Sequence, residues 1–292
     1  MKLALLGDIH SNYIALEKCL THCEEVRVNG FVFLGDYISD CPHPQKTMEL
    51  IKKVSEKYKT WFIRGNREDY QINYENGVYA DWHNGSSSGS LLYTYENLKQ
   101  QDMDFFKACP ITMKVSIEGA PEFTICHGSL NSTTEFLNVG SKEAEENLRQ
   151  CETNLLICGH THRQGIFNFE GKMLINPGSV GVPLSSNGKS QFAILHCDNE
   201  FYQPELISLD YDIERTIEEY TQSDLVERAP IFSKIIMHEI KTGNNLLPEV
   251  IEKAKELALI SDREVDHCDI PEKYWEEAYN IIFHVNKEIK QC

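Results

Sequence analysis

The sequence predicts an α/β fold: two β-sheets facing one another, flanked by helices and followed by a helical C-terminal segment. Three observations carry this. Over residues 2–66, short apolar runs that end in glycine alternate with helical patterns, the sign of a parallel sheet with crossover helices. From 112 to 209, strand-like runs follow one another across short turns, as in antiparallel hairpins. From 212 onward the chain becomes rich in Glu and Ile at helical spacing.

Each element follows from its local pattern. Lys2–Leu6 is a buried strand that stops at Gly7, and Asp8-Ile9-His10 comes next. In an extended segment Asp8 and His10 would share a side. Leu16, Cys19, Leu20 and Cys23 recur on one helical face, and Phe31–Leu34 is a second strand, ending in Gly35-Asp36. A Pro-rich loop (Cys41-Pro42-His43-Pro44) opens a helix with Ile51, Val54 and Tyr58 inward, before a third strand at Thr60–Asn66. Residues 66–110 read as helical. They are interrupted by Asn84–Ser90, a Ser-rich break that either caps a helix or forms a mobile loop over a pocket. Strands are then expected at Lys114–Ile117, Glu122–Cys126, Leu155–Cys158, Gly165–Phe169, Met173–Ile175, Gln191–Cys197 and Leu206–Leu209, with one helix at Ser141–Gln150. This second set would form a sheet that buries one face of the first. The domain boundary is expected near 211, with 1–211 as the main domain and 212–292 as a helical extension that packs on it, covers a pocket or builds an oligomer face.

Composition narrows the function. The 292 residues are 41% hydrophobic and 25% charged, ordinary for a water-soluble globular chain. The five residues between Lys2 and Asp8 leave no room for a signal-peptide core, and no apolar run reaches membrane-spanning length, so no membrane and a cytoplasmic location are expected. The ten cysteines are dispersed without a Cys-x-x-Cys pair, which suits reduced, buried thiols. A net charge of −17 repels long nucleic acid, whereas a bound cation cluster would still admit a small phosphorylated ligand. A homo-oligomer is compatible with all of this.

Five blocks carry the chemistry: Gly7-Asp8-Ile9-His10, Gly35-Asp36, Gly65-Asn66-Arg67-Glu68, Cys126-His127-Gly128 and Gly159-His160-Thr161-His162. Each follows an apolar strand. Singly, each has an ordinary structural explanation as a cap, a turn or a satisfied histidine. Together they supply Asp8, His10, Asp36, Asn66, His127, His160 and His162. Carboxylate, imidazole and one neutral amide suit Mn, Fe or Zn rather than Ca or Cu(I). Seven side chains exceed the needs of one ion and match two that share a carboxylate.

The ordered series resembles the calcineurin-like metallophosphoesterases over residues 2 to about 210, in its Asp-x-His, Gly-Asp, Gly-Asn, x-His and Gly-His-x-His signatures. Asn176-Pro177-Gly178-Ser179-Val180-Gly181 resembles the small bacterial phosphodiesterase branch, and the helical tail resembles a branch that includes diadenosine tetraphosphate hydrolases. The resemblance implies a four-layer α-β-β-α sandwich of two mixed sheets. It places one ion on Asp8, His10, Asp36 and His162 and another on Asp36, Asn66, His127 and His160. Manganese is the first expectation, with Fe or Zn as alternatives. A metal-bridging hydroxide would attack phosphodiester or phosphoanhydride bonds of a small nucleotide-type substrate. Asn66, Arg67 and His127 are expected to act in catalysis, and Arg67 and Asn12 to bind substrate.

One departure stands out. The histidine usual after Gly-Asn is Arg67 here, and a guanidinium cannot surrender a proton at neutral pH. It can hold phosphate oxygens, which favours leaving groups that depart without protonation. Alternatively Arg67 pairs with Glu68 or Asp69, and His83 swings in as an acid. The rival activities are a phosphomonoesterase on a protein or metabolite and a catalytically weak binding scaffold.

Overall fold

The structure, a computed structural model, describes residues 1–79, 81–198, 201–261 and 269–289. The first sheet has five strands in the order β10 (Tyr202–Leu209), β9 (Ser190–Cys197), β1 (Lys2–Leu6), β2 (Gly30–Phe33) and β3 (Lys59–Phe62). Strands β1, β2 and β3 are parallel, and β9 and β10 add an antiparallel edge. The second sheet runs β4 (Thr112–Val115), β5 (Phe123–Cys126), β6 (Leu155–Ile157), β8 (Lys172–Asn176) and β7 (Gly165–Phe169), with β5, β6 and β8 parallel. Both sheets are therefore mixed.

Alternation along β1 explains the layering. Leu3 and Leu5 point between the sheets, where they pack with Val32, Phe123, Ile125 and Ile157. Ala4 and Leu6 point outward to Leu16 of α1 (Tyr13–Glu25), Ile51 of α2 (Pro44–Lys57) and Phe106 of α5 (Gln100–Ala108). A strand buried on both faces reads as a continuous apolar run, which is why β1 and β2 stand out in the sequence. Leu148 of α6 (Lys142–Gln150) covers Leu156 and Leu174 on the far side of the second sheet. The layers are thus helix, sheet, sheet, helix.

Element limits differ modestly from the sequence expectation. Strand β10 begins at Tyr202, four residues early; Pro204 hides it, yet a proline is tolerated on an edge strand. Helix α1 begins at Tyr13 because the Asn12 Oδ1 accepts a hydrogen bond from the Ala15 N–H (3.1 Å) and caps it. Eight cysteines are buried free thiols; Cys268 and Cys292 lie outside the described residues.

Beyond β10 the chain forms α7 (Ile213–Thr221), α8 (Leu225–Arg228), α9 (Pro230–Thr242), α10 (Leu247–Ser261) and α11 (Glu272–Ile289). Ile235, Val250, Ala254 and Trp275 give these helices a core of their own. The Ser-rich stretch joins that unit to the main body. Glu272 accepts hydrogen bonds from the Ser86 N–H (2.6 Å) and hydroxyl (2.7 Å), and the Trp275 indole donates to Ser87 (2.8 Å). Ser86, Ser87 and Ser88 are buried, so the alternative of a mobile loop over a pocket is replaced by a packed junction. Helix α4 (Gly89–Glu96) follows directly, without a side-chain hydrogen bond from Ser88 at its cap. No described helix is long and apolar enough to cross a membrane.

Candidate metal centre

Each of the five blocks lies at the C-terminal end of a parallel strand, β1, β2, β3, β5 or β6; four are loops, and the third is the first turn of α3 (Asn66–Glu75) with Gly65 as its cap. Loops at that end of a parallel sheet are where ligands gather. Here the two facing sheets bring both sets of loops to one place. The local backbone is unusual. Asp8, His10, Asp36, His160 and His162 all have φ between 49° and 65°, the left-handed region. Such residues cost of order 1 kcal/mol each and cluster at functional sites. Crossed hydrogen bonds hold them. The Ile9 and His10 N–H groups donate to the Asp36 carbonyl (2.8 and 3.0 Å), and the His160 N–H donates to the Asp8 carboxylate (3.1 Å). This corrects the expectation for Asp8 and His10, because the strand stops at Leu6 and the two share a side through a coiled loop, not through alternation.

The side chains form two trios. Asp8, His10 and His162 have ligand atoms within 4.8 Å of one another, and so do Asp36, His127 and His160. Within the first, the Nε2 atoms of His10 and His162 are 2.9 Å apart, and the His162 Nε2 lies 3.4 Å from Asp8 Oδ1. Within the second, the His127 Nε2 lies 3.4 Å from Asp36 Oδ2 and 3.1 Å from the Asn66 Oδ1. The trios touch through Asp36, whose Oδ2 is also 3.7 Å from the His10 Nε2. Gly65 permits this approach, since a Cβ there would collide with the Asp36 carboxylate.

Outer contacts aim the rings. The His127 Nδ1 donates to the Leu34 carbonyl (2.6 Å) and the His162 Nδ1 to the Val182 carbonyl (2.7 Å), which turns each Nε2 toward the centre. The His160 ring is reversed, its Nε2 donating to the Thr134 carbonyl (3.2 Å). The His10 Nδ1 lies 3.1 Å from Asp40 Oδ2. Burial opposes ionisation of Asp36, yet His127, His10 and Arg67 more than offset it and hold the carboxyl well below its ordinary range. Burial and the neighbouring His127 push the His160 imidazole down to about 4, so it is neutral and able to ligate at pH 7.

Arg67 does not pair with Glu68 or Asp69. Its guanidinium reaches Asp40 Oδ2 (3.1 Å), its backbone N–H donates to Asp36 Oδ1 (2.8 Å), and its Nε is buried with no protein partner. Glu68 instead accepts from the backbone N–H groups of Gly65, Asp36 and Tyr37, fixing the loop, and Asp69 pairs with Arg64. Asn12 is engaged elsewhere. Its amide is spent on the α1 cap, the Gly181 carbonyl (2.9 Å) and the Tyr211 hydroxyl (3.2 Å), and it does not line the cavity beside the metal-ligand candidates. His83 bonds the Asp81 carbonyl (2.9 Å) and also lies off that cavity, as do His22, His43, His196 and His238; His267 and the His284 side chain lie outside the described residues.

Sequence reasoning missed Asp40 and the far wall. Asp40 stands four residues after Asp36 in Gly35-Asp36-x-x-x-Asp40, and a second carboxylate at that offset was the available signal. The cavity measures about 730 Å³, and Ile236, Glu239, Leu247 and Pro248 of the C-terminal helices and Asn245 between α9 and α10 line it together with His10, Asp36, Asn66, Arg67, His160 and His162. No local feature marks those wall residues.

Four imidazoles (His10 and His127 buried, His160 and His162 half-buried), two buried carboxylates and an amide oxygen, facing inward with their outer edges already engaged, fit a pair of divalent cations. Known proteins resemble this chain in sequence and in fold. Over 241 residues the chain is 24% identical to an uncharacterized protein of Methanocaldococcus jannaschii, covering 77% of this chain and 94% of that protein. Its fold is similar to that of a hypothetical protein from Pyrococcus horikoshii OT3 (TM-score 0.70, 20% identity, 84% of this chain and 99% of the other). It is also similar to that of a metallophosphoesterase from Sphaerobacter thermophilus (TM-score 0.61, 22% identity, 79% and 99%). Residues 1–200 match the calcineurin-like phosphoesterase superfamily domain, and the chain belongs to that superfamily of hydrolases.

Proposed function

We propose that this chain is a di-metal phosphoesterase that cleaves phosphodiester or phosphoanhydride bonds of small nucleotide-type substrates. The observation that carries the proposal is the pair of ligand trios joined at Asp36, beside a guanidinium where a proton donor would otherwise stand. Asp8, His10, Asp36 and His162 would hold one ion, and Asp36, Asn66, His127 and His160 the other, with manganese the first choice and Fe or Zn alternatives. Bound there, the ions would supply Lewis acidity toward a phosphoryl oxygen and a nucleophile drawn from water at neutral pH.

The chain's own residues do the rest. Asp40 anchors one nitrogen of Arg67 and leaves the buried Nε without a protein partner, a donor for a phosphate oxygen. Arg67 offsets charge that develops on the phosphoryl group and does not protonate the departing oxygen. Bonds whose leaving group is stable as an anion, a nucleotide phosphate or an aryl oxide, are therefore favoured. The extension after residue 211 completes the substrate cavity through Ile236, Glu239, Asn245, Leu247 and Pro248.

The test is a substrate series on manganese-loaded protein: an aryl phosphodiester, a nucleoside diphosphate and an alkyl phosphate monoester. The first two should turn over and the third should be poor. Alkyl monoesters cleaved as fast as aryl diesters would overturn the role given to Arg67. Metal bound without turnover of any of them would favour the binding scaffold.

A further inference from the structure

The cavity is far larger than a phosphoryl group, since its 730 Å³ lies in the range of sites that enclose a whole organic ligand. Away from the ligand trios its lining is mixed, with the apolar Phe136, Val139, Leu184, Ile236, Leu247 and Pro248 beside polar groups such as Asn138, Arg163 and Glu239. Phe136 is 57% exposed and Val139 42%, on the segment between β5 and α6. A large aromatic left in water at the rim of a polar site has a ligand-shaped explanation, because its free face is a stacking surface. Its position is also fixed. The Phe136 ring centroid is 4.4 Å from that of His160 at 41°, and the carbonyl of nearby Thr134 accepts from the same imidazole. One segment therefore both aims a candidate ligand and presents a ring at a set distance from the reacting phosphoryl group.

We infer that Phe136 is a specificity-determining platform on which a planar aromatic group of the substrate stacks, with Ile236 and Leu247 of the C-terminal helices bounding the same slot. Two sources share this chemistry, a nucleobase and an aryl leaving group. The inference rests on the phosphoesterase proposal for the position of the phosphoryl group, but ring binding can be measured without turnover.

The experiment uses metal-loaded full-length protein and four probes: AMP, phenyl phosphate, n-hexyl phosphate and inorganic phosphate. Competitive inhibition constants are measured for wild type, Phe136→Ala, Phe136→Tyr and Leu247→Ala. Stacking of one ring is worth enough to weaken AMP or phenyl phosphate about tenfold in Phe136→Ala, with inorganic phosphate unmoved and Phe136→Tyr restoring binding. Loss for AMP alone assigns the slot to a base, and equal loss for phenyl phosphate assigns it to any aryl group. In parallel, Phe136→Trp should change its indole fluorescence with AMP or phenyl phosphate and not with phosphate, a readout independent of catalysis. The inference is overturned if hexyl phosphate loses as much as the ring-bearing probes, which would make Phe136 a generic apolar contact. It is equally overturned if all four probes respond alike or if the Trp signal is silent. Failure of every ester to turn over would sink the phosphoesterase proposal while leaving the Phe136→Trp fluorescence result to decide ring binding by itself.

Discussion

The cavity has two walls of opposite character. One is made by five strand-end segments of the main body, where imidazoles and buried carboxylates crowd together and five of the ligand candidates sit in left-handed backbone. The other is made by α9 and the start of α10, aliphatic except for Glu239 and Asn245 and carried by helices with a core of their own. The first wall is strained and polar, and its parts are cross-braced to one another. The second is ordinary helix packing, fastened through Ser86, Ser87 and Tyr220. The difference assigns them different work. In the proposed function bond breaking belongs to the loops, while Phe136 of the main body and the aliphatic helix residues opposite it would share substrate choice.

The sharpest way to break this division is Asp36→Asn. Its carboxylate faces both trios, so the change should lower hydrolysis by well over a hundredfold, since even residues behind a ligand cost about 10- to 100-fold. Steady-state rates with matched metal analysis check it, and near-normal turnover would dissolve the contrast. Asp40→Asn comes next. It removes the anion shared by the His10 imidazole and the Arg67 guanidinium, so kcat should drop about 10- to 100-fold with KM raised as well. A change confined to KM would show that Arg67 binds substrate without helping its chemistry.

The smallest effect is expected in the helical wall, at Glu239. Burial raises its carboxyl to about 7, although the Leu246 and Leu247 N–H groups (2.8 and 3.0 Å) favour the anion. An unfolded glutamate titrates near 4.5, so between that pH and about 7 the folded chain holds a proton that the unfolded chain releases. Stability contributed by this group is therefore present at acid pH and falls as pH rises through the window. Glu239→Gln should flatten that part of the Tm–pH curve with little change in kcat. Parallel curves for the two proteins would count against it.

How much of each wall could be read in advance follows the same contrast. The loop wall was legible because each ligand sits next to its cause, an apolar run, a glycine and then a carboxylate, amide or imidazole. Order along the chain did the rest. What escaped was whatever depends on tertiary approach. Asp8 and His10 converge through left-handed turns that no periodicity rule describes. Asn12 looks like part of the first block and is consumed as a helix cap. Arg67 finds Asp40 across 27 residues instead of its acidic neighbours. Ser86 and Ser87 resemble a flexible linker until Glu272 and Trp275 arrive from the far end of the chain. In the helical wall Ile236 and Leu247 carry only the spacing of any buried helix face, so their place at the cavity is set entirely by how the extension docks.

The most direct test is a count of cations. Titrating metal-stripped protein with Mn²⁺ in a calorimeter should give two ions per chain, one for each trio, and Asp36→Asn should disturb both sites at once. A stoichiometry of one or none in the wild-type protein, or loss of a single site with the other intact in Asp36→Asn, would contradict a centre built around a shared carboxylate.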